Sequence, residues 1–141
     1  MKFHLNPDSK AVVELLGKAN LPTADITPHL LSHFIGASIG GTLEGVIGYE
    51  PYGEIGLLRS LAVSSTARGA GLGAQLVQRL ETAAAEAGIE HLFLLTTDAD
   101  GYFASRNYRV IDRDAVPEEI RGTAQFSSLC PDSATVMVKT L

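Results

Sequence analysis

Cysteine is nearly absent from this chain. Its 141 residues include one, Cys130, which excludes an internal disulfide and any metal cage built only of thiolates. Basic charge is also scarce: 11 Lys and Arg against 16 Asp and Glu leave a formal net charge of −5. Nucleic-acid and anionic-membrane binders present basic surfaces, so neither partner fits. No apolar run approaches the roughly 20 residues of a membrane span. Residues 1–8 hold neither an apolar segment nor a small-residue cleavage site, so no signal peptide is expected. Repeats, low-complexity tracts and linkers are missing too. What remains has the length of one ordinary domain, residues 1–141. Its 45% hydrophobic residues suffice to bury a core, and a cytoplasmic protein is expected.

The hydrophobic pattern divides the chain into short elements. Val12, Val13, Leu15 and Leu16 form a helical stripe after Asn6-Pro7-Asp8, a capping sequence. Thr23 or Asp25 is expected to cap a second short helix running to His33. Residues 34–40 and 43–50 read as strands joined at Gly40-Gly41, a dipeptide suited to a tight hairpin. A second turn is expected at residues 51–53. The apolar run 55–63 is too continuous for an edge strand and reads as a central one. Leu72, Leu76, Val77, Leu80 and Ala84 then share one face of a long helix over 71–87, with Gly88 ending it. Residues 91–97 form another buried strand, 99–106 a short helix, 108–112 a strand, 116–120 the start of a helix, and 133–141 a last strand. Strand–helix–strand over 55–97 implies a parallel pair, whereas the early hairpin implies antiparallel neighbours. The fold class is therefore α/β with a mixed sheet and helices on its faces.

The sharpest motif is Arg68-Gly69-Ala70-Gly71-Leu72-Gly73, between the central strand and the long helix. Alternating glycines let the backbone turn tightly and approach a ligand without an intervening Cβ. The helix start points free N–H groups outward at its positive end, forming an anion site. Arg68 adds a charge with bidentate geometry suited to phosphate. A flexible capping loop is the plainer reading. No Gly-Lys-Ser/Thr follows, which excludes the Walker pattern. Gly69, Gly71 and Ala74 fit G-x-G-x-x-A, but five residues separate the strand from the first glycine, against a dinucleotide fingerprint.

Leu61-Ala62-Val63, four spacer residues, and Arg68-x-x-Gly71-x-Gly73 resemble the acetyl-coenzyme A signature R/Q-x-x-G-x-G/A of the GNAT superfamily of N-acetyltransferases. Residues 92–97 look like that family's fifth strand, and Tyr102-Phe103 with Asn107-Tyr108 looks like its F-Y-x-x-x-G-F segment. The chain further resembles the arsenic-resistance N-acetyltransferase branch, which is similar to the catalytic domain of N-acetylglutamate synthases. Leu21-Pro22-Thr23, residues 57–63, Leu95-Thr96-Thr97 and residues 126–131 carry that likeness. The resemblance implies a central sheet of six or seven strands, splayed between strands four and five. It also implies acetyl-CoA as cosubstrate and a small amine as acceptor, an amino acid or an amino-acid-like organoarsenical. A homodimer is left open. Pantetheine would pair with the backbone of Leu61, Ala62 and Val63, and Arg68, Gly69, Ala70, Gly71, Leu72, Gly73 and Phe103 would complete the cofactor site.

The catalytic groups are less regular. Aligning Tyr108 with the terminal aromatic of the family segment places Phe103 where many relatives have a tyrosine acid, and phenylalanine has no proton to give. Either Tyr102 substitutes, or the thiolate, from a thiol of reference pKa about 8.5, departs unassisted. Glu50 and Glu54 flank the turn before strand four. Glu50 is the candidate base, and solvated turn carboxylates are the plainer reading. Arg59 within an apolar strand needs an anionic partner: Glu44, Glu50 or Glu54, or a carboxylate of the substrate. The histidines at 4, 29, 33 and 91 have no metal-ligand spacing, and no metal is expected. Two rivals remain: a non-catalytic acetyl-CoA-binding module and a nucleotide-binding α/β domain.

Overall fold

In the computed structural model, which describes residues 1–69, 71–130 and 133–141, the first strand β1 (Lys2–Leu5) leads into α1 (Ser9–Lys18). The Asp8 side chain caps that helix by accepting from the Ala11 N–H at 3.0 Å. Val12, Leu15 and Leu16 are buried, spaced i, i+3 and i+4 on one face. Val13, expected on that stripe, turns away and is 39% exposed. The second helix α2 (Pro28–Leu31) is capped by Thr27, not by Thr23 or Asp25, because the Thr27 hydroxyl accepts from the Leu30 N–H at 3.1 Å. It ends short of His33.

β2 (Phe34–Ile39) and β3 (Thr42–Tyr52) are joined at Gly40 and Gly41, both at positive φ, as the hairpin reading expects. β3 runs on through Pro51 and Tyr52, so the next turn falls at Gly53 and Glu54 instead of 51–53. Then come β4 (Ile55–Val63), α3 (Leu72–Glu86), β5 (His91–Thr96), α4 (Asp100–Ser105), β6 (Arg109–Ile111), α5 (Glu118–Arg121) and β7 (Thr135–Thr140). The seven strands lie in the order β1-β2-β3-β4-β5-β7-β6, with β4 at the centre. α3 covers one face with Leu72, Leu76, Val77, Leu80 and Ala84, the five residues its periodicity selects. α1, α2 and α5 cover the other face.

Two irregularities of β4 shape everything that follows. β4 and β5 are parallel, but they pair only from Ile55–Leu57 against His91–Phe93. β5 instead pairs along its whole length with β7. From Leu58 onward β4 therefore has a ladder on its β3 side alone, and the sheet splays open as the resemblance implies. The second irregularity is a bulge. Val46 faces Ala62 while Gly48 faces Arg59, so β4 carries one extra residue, and Ser60 sits at φ 61°. Arg59 and Ala62 are three residues apart yet both sit on the α1 side: Arg59 lies over the Phe34 ring and Ala62 packs beside it. Without the bulge the two-residue alternation of a strand would send one of them to the other side.

Candidate active site

The loop from β4 to α3 is anchored before it reaches the glycines. The Glu44 carboxylate accepts from the hydroxyls of Ser64 and Thr66, the second at 3.0 Å, and Ala67 is buried. Glu44 is thus committed to this loop and is not a partner of Arg59. Gly69 and Gly71 then adopt φ 87° and 75°, a region that costs an L-residue roughly 1–2 kcal/mol. A Cβ built on either would meet nothing within 4 Å. Crowding does not require glycine there; the sign of φ does, and the space in front of the loop is open.

Gly71 is the N-cap of α3 and brings no side-chain cap. The first helical bond closes from the Gln75 N–H to the Gly71 carbonyl (3.2 Å). The amides of Leu72, Gly73 and Ala74 precede that bond at the positive end of a 15-residue helix. The Leu72 side chain is 1% exposed and packs in the core, so only its backbone can face a ligand. Arg68 is exposed, its Nε donating to the Val63 carbonyl at 3.4 Å. Ala70 lies outside the described residues.

Beside this clasp, the gap between β4 and β5 forms a cavity of about 160 Å³. Its walls include Leu58, Arg59 and Leu61 from β4, Leu94 and Thr96 from β5, Tyr102 and Phe103 from α4, and Gln125 and Cys130. Leu61 and Val63 pack toward α3, while Ala62 faces α1. Their side chains therefore serve packing, and of the three only Leu61 lines the cavity. Tyr102 is 39% exposed, and a Cβ on Gly73 would lie 3.8 Å from its hydroxyl oxygen, which puts the phenol over the first turn of α3. Phe103 is buried, in edge contact with the rings of Tyr102 (5.2 Å) and Tyr108 (5.5 Å).

Arg59 is 3% exposed and makes four hydrogen bonds through its guanidinium. Its Nη1 and Nη2 reach the two carboxylate oxygens of Asp25 at 2.5 and 2.8 Å, Nη1 also donates to Glu50 Oε2 at 2.8 Å, and Nε donates to Ser60 Oγ at 3.0 Å. Burial alone would lower its pKa, but Asp25 and Glu50 outweigh that and hold it above the ordinary value. Of the glutamates weighed as partners for Arg59, Glu50 is the one it meets, while its bidentate face is occupied by Asp25. Glu50, the candidate base, is held by Arg59 through Oε2. Its second oxygen accepts from the Tyr52 hydroxyl at 2.5 Å, and burial together with that bond raises the Tyr52 pKa. Glu54 stands exposed beside Glu90, whose hydrogen bond and like charge raise its pKa.

Sequence reasoning missed Asp25 as the partner of Arg59 and missed Gln125 altogether. No periodic or motif signal marks either one. Among the described residues, no group of three or more His, Cys, Asp or Glu is placed to hold a metal.

A clasp of backbone amides at a helix start, beside a strand stripped of one neighbour, is a specific pairing of features. The sequence model of the acetyltransferase (GNAT) family matches residues 6–110, well over half of the chain. The chain belongs to the acetyltransferase (GNAT) family. It is an acetyl-CoA-dependent N-acetyltransferase. An uncharacterized N-acetyltransferase of Chlorobaculum tepidum is 29% identical over 119 residues, 83% of this chain and 76% of that protein. An amino-acid acetyltransferase of Edwardsiella ictaluri is 32% identical over 69 residues, 49% of this chain but 16% of that one. Among solved structures, N-acetylglutamate synthase of Neisseria gonorrhoeae, complexed with coenzyme A and N-acetyl-glutamate, superposes with a TM-score of 0.83 at 21% identity. That match covers 99% of this chain and 35% of the synthase, so this GNAT chain spans about a third of the synthase's length. These structural likenesses establish the fold.

Proposed function

We propose that this acetyltransferase acts on the amine of a small amino acid or amino-acid-like compound, with residues 1–141 working as one domain. The observation that carries this reading is the adjacency of the unpaired β4 edge, the glycine clasp and the small walled cavity. A cavity of about 160 Å³ suits a small acceptor. The amino-acid acetyltransferase of Edwardsiella ictaluri and the N-acetylglutamate synthase of Neisseria gonorrhoeae support the class. The resemblance to the arsenic-resistance branch adds amino-acid-like organoarsenicals to the acceptors worth testing.

In this reading the amides of Leu72 and Gly73, with Gly69, Gly71 and Arg68 shaping the approach, hold the pyrophosphate of acetyl-CoA. The free edge of Leu61, Ala62 and Val63 pairs with the pantetheine arm, and one of its N–H groups polarises the thioester carbonyl. The bound amine attacks the carbonyl carbon, the C–S bond breaks, and the amine's proton passes to solvent. The thiolate of a coenzyme A thiol, with a reference pKa of about 8.5, departs without an acid, and Phe103 at the family's acid position has no proton to give.

Thiol release from acetyl-CoA, screened against the amino acids and amino-acid-like organoarsenicals, tests the acceptor class. Release with at least one of them is expected, and binding of acetyl-CoA without release with any would overturn it. Tyr102→Phe is expected to change kcat by less than about tenfold. A fall of roughly 10²-fold or more would make Tyr102 the acid.

A further inference from the structure

The segment between β6 and β7 closes one end of the cavity with a π-helical turn, Gln125–Leu129. It is held by local bonds: the Ser127 N–H donates to the Thr123 carbonyl, and the Cys130 N–H to the Gln125 carbonyl, both at 2.9 Å. Gln125 itself is 7% exposed and lines the cavity together with Arg59 and Cys130. Its Nε2 is the one buried side-chain nitrogen or oxygen without a hydrogen-bond partner among the described residues. An orphaned buried amide costs roughly 1–3 kcal/mol. A leucine of similar volume would avoid that cost, so the position calls for an explanation in terms of a ligand.

The other end of the amide is tied. The Cys130 thiol lies 3.5 Å from Gln125 Oε1. Burial pushes that thiol's pKa up, ahead of the opposing effect of Arg59, so at neutral pH it is protonated and donates. The amide oxygen turns to the sulfur, which leaves the two N–H groups of Nε2 without a partner. An N–H pair selects an oxygen acceptor. Arg59, the neighbouring cation, has no acceptor to offer the amide, and its own charge is already met by Asp25 and Glu50.

We propose that Gln125 determines acceptor specificity, donating from Nε2 to a carbonyl-type oxygen (carboxylate or carboxamide) adjacent to the reacting amine, with Cys130 as the positioning residue that orients the amide. This rests on the reading of the acceptor as an amino-acid-like amine.

The test compares three acceptors: the amino acid acetylated best in the thiol-release screen, its α-carboxamide, and the amine lacking that carbon. Gln125→Leu is expected to raise KM about tenfold or more for the first two, while KM for the third and for acetyl-CoA stays unchanged. Gln125→Glu, nearly the same shape, replaces the donor with an acceptor and should raise KM for the amino acid, whose carboxylate has no N–H to offer, while sparing the third acceptor; it keeps the test intact where the leucine variant fails to fold. Cys130→Ala should produce a smaller rise, reversed by Cys130→Ser, which restores a donor. Equal rises for all three acceptors, or none, would overturn the proposal. A wild-type protein that acetylates none of the amino acids or amino-acid-like compounds would instead overturn the acceptor reading on which it rests, and the two failures are told apart by wild-type turnover alone.

Discussion

Arg59→Ala is expected to lower the free energy of unfolding by ~3–5 kcal/mol, the usual cost of removing one partner from a buried ion pair. The guanidinium is 1% exposed, and the Asp25 and Glu50 side chains are 20% and 13% exposed. Deleting the cation leaves two carboxylates close together with little water to replace it. The same positions substituted together, Arg59→Met with Asp25→Asn and Glu50→Gln, should recover most of the loss, because no charge is then left uncompensated. Urea unfolding of the single and triple variants measures both. A single variant within about 1 kcal/mol of wild type, with the acceptor's KM alone raised, would return Arg59 to the role of a substrate clamp.

Gly71→Val is expected to weaken coenzyme A binding by roughly 10²-fold, as read by titration calorimetry. A β-branched residue at φ 75° is strained by about 1–2 kcal/mol, and relief comes from rotating the turn that aims the Leu72 and Gly73 amides outward. Hydrogen bonds from such amides to a charged phosphate contribute roughly 1.5–3 kcal/mol each, so losing one or two accounts for the effect. Gly53 provides the control. It lies in the turn between β3 and β4, also at positive φ (68°) and also with open space where a Cβ would stand. Gly53→Val should cost similar stability and leave coenzyme A affinity unchanged. Equal loss of affinity in both variants would mean that general destabilisation, and not the clasp, is being measured.

Much of this arrangement is legible in the chain. The buried face of α3, the β2–β3 hairpin and the Asp8 cap all follow from short-range spacing, since a helix or turn is specified by residues within four positions of each other. The clasp is legible for the same reason: Gly69 and Gly71 stand where φ is positive, and their position ahead of an apolar helical run marks a helix start. β1 escaped notice because four residues, even with Phe3 and Leu5 alternating against Lys2 and His4, are too short a run to mark a strand until β2 lies beside them. The π-helical turn at Gln125–Leu129 escaped for a similar reason, as its defining bonds depend on how the segment packs over the cavity.

The partners of polar side chains were another matter. Arg59 plainly requires an anion, yet three nearby glutamates are equally good candidates on paper. Folding pairs it with Glu50, its near neighbour across the β3–β4 ladder, and with Asp25, 34 residues away. Glu44 is drawn to the clasp loop instead. Spacing along a chain constrains local backbone geometry because torsions are local. It carries no such constraint on which charges meet, since that depends on the bulge in β4, the splay beyond Leu57 and the path of residues 20–27 over the sheet. The chain's own order of residues thus specified an amide clasp at the start of a helix, whereas the cavity beside it, the occupied arginine and the unpartnered Gln125 amide came from long-range packing.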